Sequence, residues 1–214
     1  PLVIRTVTGG GAQLAATHSQ SLEGWLASVP GLKVVVPSDP YDALGLLRTS
    51  IEDNDPVIFA EHALLYGISG DVPEEHYSIP FGEAAVKRSG TDVTLVAYSK
   101  MVHECLEAAK KLEDLGVSAE VLDLRTLRPL DTDTVFDSVK KTNRVIIVEE
   151  AWQTGGFSGE LVSAVQEECF DYLDGPVGRV SGLDVPAPYN RTLEDSTIPN
   201  SDKIIESIRR LYGI

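Results

Sequence analysis

Short apolar stretches rich in β-branched residues alternate along the whole chain with stretches whose apolar residues recur every three or four positions. The short stretches are apolar at successive positions, as in strands of a parallel sheet that is covered on both sides. The longer stretches are typical of amphipathic helices. This alternation predicts an α/β fold with mainly parallel sheets. The predicted strands are 2–5, 33–36, 57–60, 84–88, 93–98, 119–124, 145–149 and 178–182.

Four helices are predicted from their apolar stripes and their end signals. Asp39 and Pro40 mark the start of one, because an aspartate can accept hydrogen bonds from the first turn and proline suits the first helical position. A second helix ends at Gly116, and a third runs from the glycine pair at 155–156 to about Tyr172. The residues expected to be buried are Ala43, Leu46, Leu47 and Ile51 in the first, Met101, Cys105, Ala108, Leu112 and Leu115 in the second, and Ile204, Ile205, Ile208, Leu211 and Tyr212 in the last.

A polar break separates the two halves of the chain. Between Tyr66 and Pro80 the sequence is rich in glycine, proline and acidic residues, as in a linker between domains. We therefore expect two α/β domains at 1–70 and 81–214, joined by a linker at 71–80. Because the chain already reads as a strand at its first residues, we also expect it to be part of a longer protein.

The charge balance argues against one class of function. Lys and Arg number 18 and Asp and Glu 33, which gives a formal net charge of −15. Sequence-independent nucleic-acid binding needs a basic surface, so we do not expect it. No apolar run is long enough for a transmembrane helix, so we expect no membrane partner. Cys105 and Cys169 have no neighbouring ligands at zinc-site spacing, and we expect two buried free thiols.

The first candidate site is a triple glycine at 9–11 followed by the polar segment 17–21, which contains His18. The glycines allow tight turns and close approach of another group, but they lack the spacing of a dinucleotide or P-loop motif. An imidazole in such a segment can exchange protons near neutrality. On the residues alone, a surface or helix-capping histidine is the favoured interpretation.

The second candidate is the acidic helix end at 49–56. Pro56 forces its predecessor out of the helix, and a helix C-terminus presents free carbonyl groups. Glu52, Asp53 and Asp55 lie here, where a basic residue would be more usual. Carbonyl and carboxylate oxygens suit a hard cation. A solvated acidic turn is the alternative.

Two further stretches are less specific. Glu149 and Glu150 lie at the end of a predicted parallel strand, where ligands bind in open α/β sheets, and could act as an acid–base pair. The glycine pair that follows favours close packing of the next helix, and Gly159 repeats one turn later. The proline-rich segment 184–189 is extended and suits either a subunit contact or a surface loop.

Taken together and in order, these stretches resemble the β subunits of the thiamine-diphosphate-dependent 2-oxo acid dehydrogenases. The motifs are PLVIR, GGG, HSQS, PGLKVVVPSDPYDA, EDNDPVIF, VLDLRTLRPLD, VEEAWQTGGF and DVPAPY. The resemblance covers the whole chain, and each motif is in register. VLDLRTLRPLD also resembles the C-terminal domain of transketolase-like enzymes in general. HSQS and DVPAPY narrow the resemblance to the β subunits.

The resemblance implies a partial pyrimidine-binding domain followed by a transketolase C-terminal-like domain. It implies an oxidoreductase subunit that oxidatively decarboxylates a 2-oxo acid and transfers the acyl group to lipoamide. Pyruvate is the expected substrate, and a branched-chain 2-oxo acid dehydrogenase or an acetoin dehydrogenase is the alternative. Another transketolase-like enzyme and a non-catalytic docking module also stay open. The expected compartment is the cytoplasm in a prokaryote, and the mitochondrial matrix or plastid stroma in a eukaryote.

The resemblance also assigns site residues. His18 matches the active-site histidine of the family, which takes part in acyl transfer to the lipoyl group. A potassium site is implied at the acidic helix end, held mostly by backbone carbonyl groups. The residues that match its ligands are Leu2, Ser50, Ile51, Asp53 and Asp55.

The remaining parts of the catalytic centre are expected outside these 214 residues. The family's cofactor-contacting glutamate has no counterpart here, and thiamine diphosphate and its Mg²⁺ are bound with an α subunit. The resemblance therefore implies an α2β2 heterotetramer that docks a lipoyl acyltransferase core through its subunit-binding domain. We expect the chain alone to have no cofactor-binding residues and no activity.

Overall fold

The computed structural model describes residues 1–213, which form two mixed sheets with helices packed on them. The strands are β1 (Leu2–Thr8), β2 (Lys33–Val35), β3 (Pro56–His62), β4 (Ala85–Arg88), β5 (Val93–Ala97), β6 (Ala119–Asp123), β7 (Thr126–Arg128), β8 (Val145–Trp152) and β9 (Gly178–Gly182). The helices are α1 (Ala15–His18), α2 (Glu23–Ala27), α3 (Pro40–Glu52), α4 (Lys100–Glu113), α5 (Thr132–Thr142), α6 (Ser158–Cys169), α7 (Arg191–Thr197) and α8 (Ser201–Tyr212). Short 3-10 turns lie at Ala63–Gly67 and Phe170–Tyr172.

The predicted α/β class is confirmed. The first sheet has the order β1-β3-β2-β7 and the second the order β4-β6-β5-β8-β9. Each sheet is parallel except at one edge, where β7 and β4 pair antiparallel to their neighbours. All eight predicted strands are present. The short strand β7 was not predicted, because three residues are too few to show a periodic pattern.

The prediction that the strands are covered on both faces is wrong for strand β1. Leu2 is 55% exposed, Ile4 46% and Val7 55%. This strand lies at the edge of its sheet and pairs only with β3. Leu2, Ile4 and Val7 therefore face solvent in the part of the protein that the structure describes, whereas Val3 packs against the core around Leu46.

The four predicted helices are present at the predicted positions. The prediction of which of their residues are buried is partly wrong. Asp39 caps α3 as predicted, since its Oδ1 accepts from the amide of Asp42 at 2.8 Å. Ile51 is 65% exposed because it falls on the outer face of α3, and Leu115 lies exposed beyond the end of α4. Among the other residues expected to be buried, Ala43, Leu47, Leu211 and Tyr212 are half-buried, and the rest are buried.

One continuous core joins the two sheets. It contains Val34 and Ile58 of the first sheet together with Leu122 and Ile147 of the second. A second cluster fills the space between the second sheet and helices α4 and α8. The smaller third cluster surrounds Leu46 of α3. The two free cysteines, Cys105 and Cys169, are both buried in these cores.

Buried charges also cross between the two halves of the chain. The ammonium group of Lys87 lies 2.7 Å from Asp39 and 2.5 Å from Asp42, and Arg125 lies 2.6 Å from Asp42. Asp42 is fully buried, so its charge is stabilised by these two cations. The start of α3 is thus fixed to β4 and to the turn after β6. The boundaries 1–70 and 81–214 stay a prediction.

No helix among residues 1–213 is long and apolar enough to cross a membrane.

Candidate functional site

The carboxyl ends of β1 and β3 meet the second sheet at Glu150. Thr8 and His62 end these two strands and lie opposite each other. Glu150 of β8 accepts a hydrogen bond from the amide of Gly10 at 2.5 Å and is hydrogen-bonded to His62 Nε2 at 2.8 Å. The amide of Leu64 donates to His62 Nδ1, so the proton of this imidazole belongs on Nε2 and points at the carboxylate. A carboxylate of the second half thus holds two elements of the first.

The glycine-rich loop that follows β1 has an unusual backbone. Gly9 and Gly11 have φ values of +88° and +87°, and Gln13 and Ala15 have values of +58° and +59°. A Cβ atom on Gly9 would lie 2.1 Å from the imidazole of His62, so only glycine fits there. The loop therefore combines close approach at Gly9 with four residues in the left-handed region.

A second carboxylate holds the far end of this loop. Glu194 of α7 is fully buried and its Oε2 accepts from the amide of Gln13 at 2.9 Å. Its other oxygen, Oε1, has no hydrogen-bond partner among the described residues. The start of the loop is fixed separately, because the amide of Gly9 donates to the carbonyl of Gln20 at 3.2 Å.

His18 ends α1, directly after this loop, and its side chain is exposed. Its Nδ1 lies 2.9 Å from the hydroxyl of Thr17, which can fix the tautomer of the ring. The imidazole therefore faces solvent rather than the hydrophobic core, and His18 itself is not among the residues that line the adjacent groove. The residues on both sides of it, Ala16 and Ser19, line the groove.

The groove is a cavity of about 490 Å³ formed by both halves of the chain. Its walls are the segment around His18, the end of β8, the loop after β9 and helix α7. The lining residues are Gly10, Ala16, Ser19, Gln20, Ser21, Glu150, Trp152, Thr154, Gly182, Leu183, Asp184, Val185, Pro186, Ala187, Glu194, Thr197 and Ile198. A cavity between domains with convergent polar groups is the usual place for a ligand.

Two buried carboxyl groups beside the cavity have opposite pKa shifts. Burial raises the pKa of Glu150, but the hydrogen bonds from His62 and Gly10 outweigh it, and the net shift is downward. Burial raises the pKa of Glu23 to about 7, although the hydroxyl of Thr8 donates to this carboxyl at 2.7 Å. Glu150 is therefore an ionised acceptor at neutral pH, and Glu23 titrates there.

The cavity does not fit the diphosphate of thiamine diphosphate. A diphosphate needs cationic or amide donors, and no Lys or Arg lines this cavity, whereas Glu150, Asp184 and Glu194 do. These residues would repel the group. The expectation that this chain alone has no cofactor-binding residues therefore stays a prediction, now with a physical reason.

The five residues expected at a potassium site lie at one end of the first sheet. Leu2 of β1 pairs with Pro56 of β3, and Ser50, Ile51 and Asp53 form the C-terminal end of α3. Lys33 lies 2.5 Å from the carboxylate of Asp53 and 3.1 Å from that of Asp55. Its hydrogen bond lowers the pKa of Asp53. Because these carboxylates already face an ammonium group, only the backbone carbonyl groups of the helix end fit a further cation.

The pair Glu149–Glu150 is not one acid–base unit, because successive residues of β8 point to opposite faces. Glu149 accepts from the amide of Ser158 at 3.0 Å and thereby fixes the start of α6. A Cβ atom on Gly156 would lie 2.3 Å from Glu149 Oε1, which supports the packing role of this glycine. The same role for Gly159 is wrong, since a Cβ atom there would meet nothing within 4 Å.

The extended segment 184–189 forms one wall of the cavity. Asp184 accepts from the amide of Thr154 at 3.0 Å and from its hydroxyl at 2.7 Å. Pro186 and Ala187 line the cavity, and Tyr189 projects into solvent. The segment thus links the two cavity walls, and its role in a subunit contact stays a prediction.

Three residues of this site were not predicted. Glu23, His62 and Glu194 are single polar residues in segments that show no motif. Gln13 and Glu194 are 181 positions apart, and only the folded chain brings them together.

Comparison with known proteins agrees with this architecture. The family profile "Transketolase, pyrimidine binding domain" matches residues 1–68, and the profile "Transketolase, C-terminal domain" matches residues 82–204. A solved structure described as "Split gene transketolase, inactive beta4 tetramer" superposes with a TM-score of 0.80 at 26% identity, over 97% of this chain and 65% of the other.

Three curated relatives are similar over nearly the whole chain. The acetoin:2,6-dichlorophenolindophenol oxidoreductase subunit beta of Bacillus subtilis is 48% identical over 213 residues, which cover 100% of this chain and 62% of the relative. The pyruvate dehydrogenase E1 component subunit beta of Porphyra purpurea is 48% identical over 100% of this chain and 64% of the relative. The mitochondrial pyruvate dehydrogenase E1 component subunit beta-2 of Oryza sativa is 47% identical over 98% and 57%.

This chain spans less than two thirds of the length of these relatives. Within that span, the two matched profiles follow each other in the order of the two sheets. The chain therefore belongs to the transketolase family, as a pyrimidine-binding domain segment followed by a transketolase C-terminal domain.

Proposed function

We propose that the chain is part of the β subunit of a 2-oxo acid dehydrogenase. With an α subunit, the whole protein would decarboxylate a 2-oxo acid, with pyruvate as the first candidate, and transfer the acyl group to lipoamide. The main support is the 48% identity to a pyruvate dehydrogenase β subunit over the full chain. His18 adds a chemical reason, because its imidazole is exposed and its neighbours Ala16 and Ser19 line a cavity formed by both halves.

In this proposal His18 handles a proton during acyl transfer. When the disulfide of a lipoyl group accepts an acyl group on one sulfur, the other sulfur leaves as a thiolate and needs a proton. A protonated imidazole can supply it. His18 suits this role because it is reachable from solvent and its Nδ1 lies beside the hydroxyl of Thr17.

The test replaces His18 with alanine in the full-length subunit assembled with its α subunit. We expect at least about a tenfold loss of lipoamide-dependent turnover with unchanged assembly, because the proton donor is gone. His76→Ala is the matched control, since it removes another exposed imidazole outside the cavity. Near-normal turnover of His18→Ala would contradict the proposed role.

We also propose that a potassium ion binds the carbonyl groups at the end of α3, close to Leu2, Ser50, Ile51, Asp53 and Asp55. The ion would stabilise the negative end of the helix dipole and fix it to β1. We expect a higher melting temperature of the subunit in potassium than in tetramethylammonium at equal ionic strength. Equal melting in the two salts would count against this site.

The proposal gives the rest of the active centre to partners. Thiamine diphosphate and Mg²⁺ would be held chiefly by the α subunit in an α2β2 heterotetramer, because the cavity of this chain lacks cationic groups. A lipoyl acyltransferase core would be the acceptor. The compartment would be the cytoplasm in a prokaryote and the mitochondrial matrix or plastid stroma in a eukaryote.

An acetoin dehydrogenase is the second candidate, because an acetoin oxidoreductase β subunit is as similar to this chain as the pyruvate dehydrogenase subunit. The two are distinguished by assaying the assembled α and β subunits with pyruvate, acetoin and a branched-chain 2-oxo acid in parallel. The highest specificity constant identifies the substrate.

A further inference from the structure

We propose that Glu194 and Glu150 of the C-terminal domain are positioning residues for His18. They bind the backbone of loop 9–15 and hold it in the conformation that positions the segment carrying His18, whose neighbours Ala16 and Ser19 line the cavity. This inference rests on the proposed function of His18 and extends it to residues in the other domain.

The loop cannot hold its own conformation. Gln13 and Ala15 have side chains yet adopt φ values near +60°, a conformation that is unfavourable for L-residues because Cβ comes too close to the carbonyl oxygen. Such residues stay in the left-handed region only when surrounding contacts fix them. The energy that keeps this loop strained must therefore come from its tertiary contacts.

The short helix that carries His18 cannot supply that energy either. Helix α1 has four residues, none of them buried, and no side chain caps its start. An isolated turn of helix is unstable in water. The position of His18 therefore depends on the loop before it and on the two residues after it: Ser19 is buried, and the side-chain amide of Gln20 donates to the carbonyl of Ala16 at 2.5 Å.

The two carboxylates contact the loop at its amide groups. Glu150 accepts from Gly10 at 2.5 Å, and Glu194 accepts from Gln13 at 2.9 Å. Both acceptors are buried, so these hydrogen bonds are little weakened by solvent. The bond to Gln13 is next to the strained residues and only five positions before His18.

The two anchors differ in their other contacts. Glu150 also binds His62, so its loss would disturb the end of β3 as well. Glu194 has the amide of Gln13 as the one hydrogen-bond partner of its side chain among the described residues. Substitution of Glu194 therefore changes the loop with the least effect on the rest of the domain interface.

The experiment uses the full-length subunit assembled with its α subunit and a lipoyl acceptor. We expect Glu194→Ala to lower kcat about five- to tenfold while KM for the 2-oxo acid stays within about twofold, because only the imidazole moves. Glu194→Gln should keep at least about half of kcat, since its amide oxygen can still accept from Gln13. Asp195→Ala is the control, since it removes an exposed acid from the same helix.

A double substitution separates positioning from a general structural role. If Glu194 acts through His18, adding Glu194→Ala to His18→Ala should lower kcat by less than about twofold. If Glu194→Ala lowers kcat by the same factor in both backgrounds, the inference is wrong. Should Glu194→Ala fail to assemble, Glu194→Asp keeps the charge but withdraws the carboxylate from Gln13, and the same comparison applies.

The outcomes also separate this inference from the proposed function. Normal turnover of His18→Ala would refute the role of His18 itself. An impaired His18→Ala together with an unimpaired Glu194→Ala and Glu194→Asp would leave that role intact and refute the positioning.

Discussion

Replacing Glu23 with glutamine should change how the stability of the protein depends on pH. Glu23 begins α2 beneath the end of β1 and is buried. Burial raises the pKa of its carboxyl group from the model-compound value of 4.5 to about 7, and the nearby charge of Glu150 adds to the rise. The hydrogen bond from Thr8 acts in the opposite direction.

The direction in which stability changes with pH follows from proton linkage. Because the folded protein holds the proton of Glu23 more tightly than the unfolded chain, stability is fully present below about pH 4.5 and falls as the pH rises through about 7. With these two pKa values the free energy of unfolding should fall by about 2–3 kcal/mol between about pH 5 and about pH 8 from this group. The Glu23→Gln variant cannot ionise there and should lack that part of the decrease.

The assay is urea unfolding of the full-length subunit at a series of pH values. Other groups titrate in this range, among them Asp123, whose pKa is raised to about 6 by burial, so the difference between wild type and variant is the quantity to compare. Glu168→Gln is the control, because it removes an exposed carboxylate and should give a curve parallel to wild type. Parallel curves for Glu23→Gln and wild type would refute the reasoning.

Two matched pairs test the packing. Gly156→Ala should destabilise the protein by about 1–3 kcal/mol in urea unfolding, because its Cβ would collide with Glu149, whereas Gly159→Ala should be neutral or slightly stabilising. Equal effects would contradict the packing assignment. Leu46→Ala should cost about 2–5 kcal/mol and Ile51→Ala less than about 0.5 kcal/mol, because only Leu46 is buried. A large loss for Ile51→Ala would place that side chain in a contact of the full-length subunit.

The sequence was sufficient to predict features that depend on local patterns. The start of α3 follows from the chemistry of Asp39 and Pro40, and the long strands follow from their apolar runs. Strand β7 could not be predicted, because its assignment depends on pairing with β2 rather than on its three residues. The prediction that Ile51 is buried was wrong. Periodicity indicates which face of a helix is apolar, but it does not indicate how far the neighbouring sheet extends.

The candidate site depends still more on long-range contacts. His18 was singled out by its motif, and the structure leaves it exposed, in a segment whose residues Ala16 and Ser19 line the cavity. The residues around it come from distant parts of the chain, such as Glu150 beside Gly10 and Glu194 beside Gln13. No local signal connects these pairs, because a single glutamate in a helix or strand usually faces water.

Strand β7 belongs to the second half of the chain but to the first sheet, and this limits where the chain can be divided. This strand follows β6 of the second sheet, yet it forms the edge of the first sheet by pairing with β2. A gene cut at the polar break would leave β2 with unsatisfied amide and carbonyl groups along one side, and β7 with no neighbour at all. Open strand edges of this kind promote aggregation, so the two halves should be produced as one polypeptide.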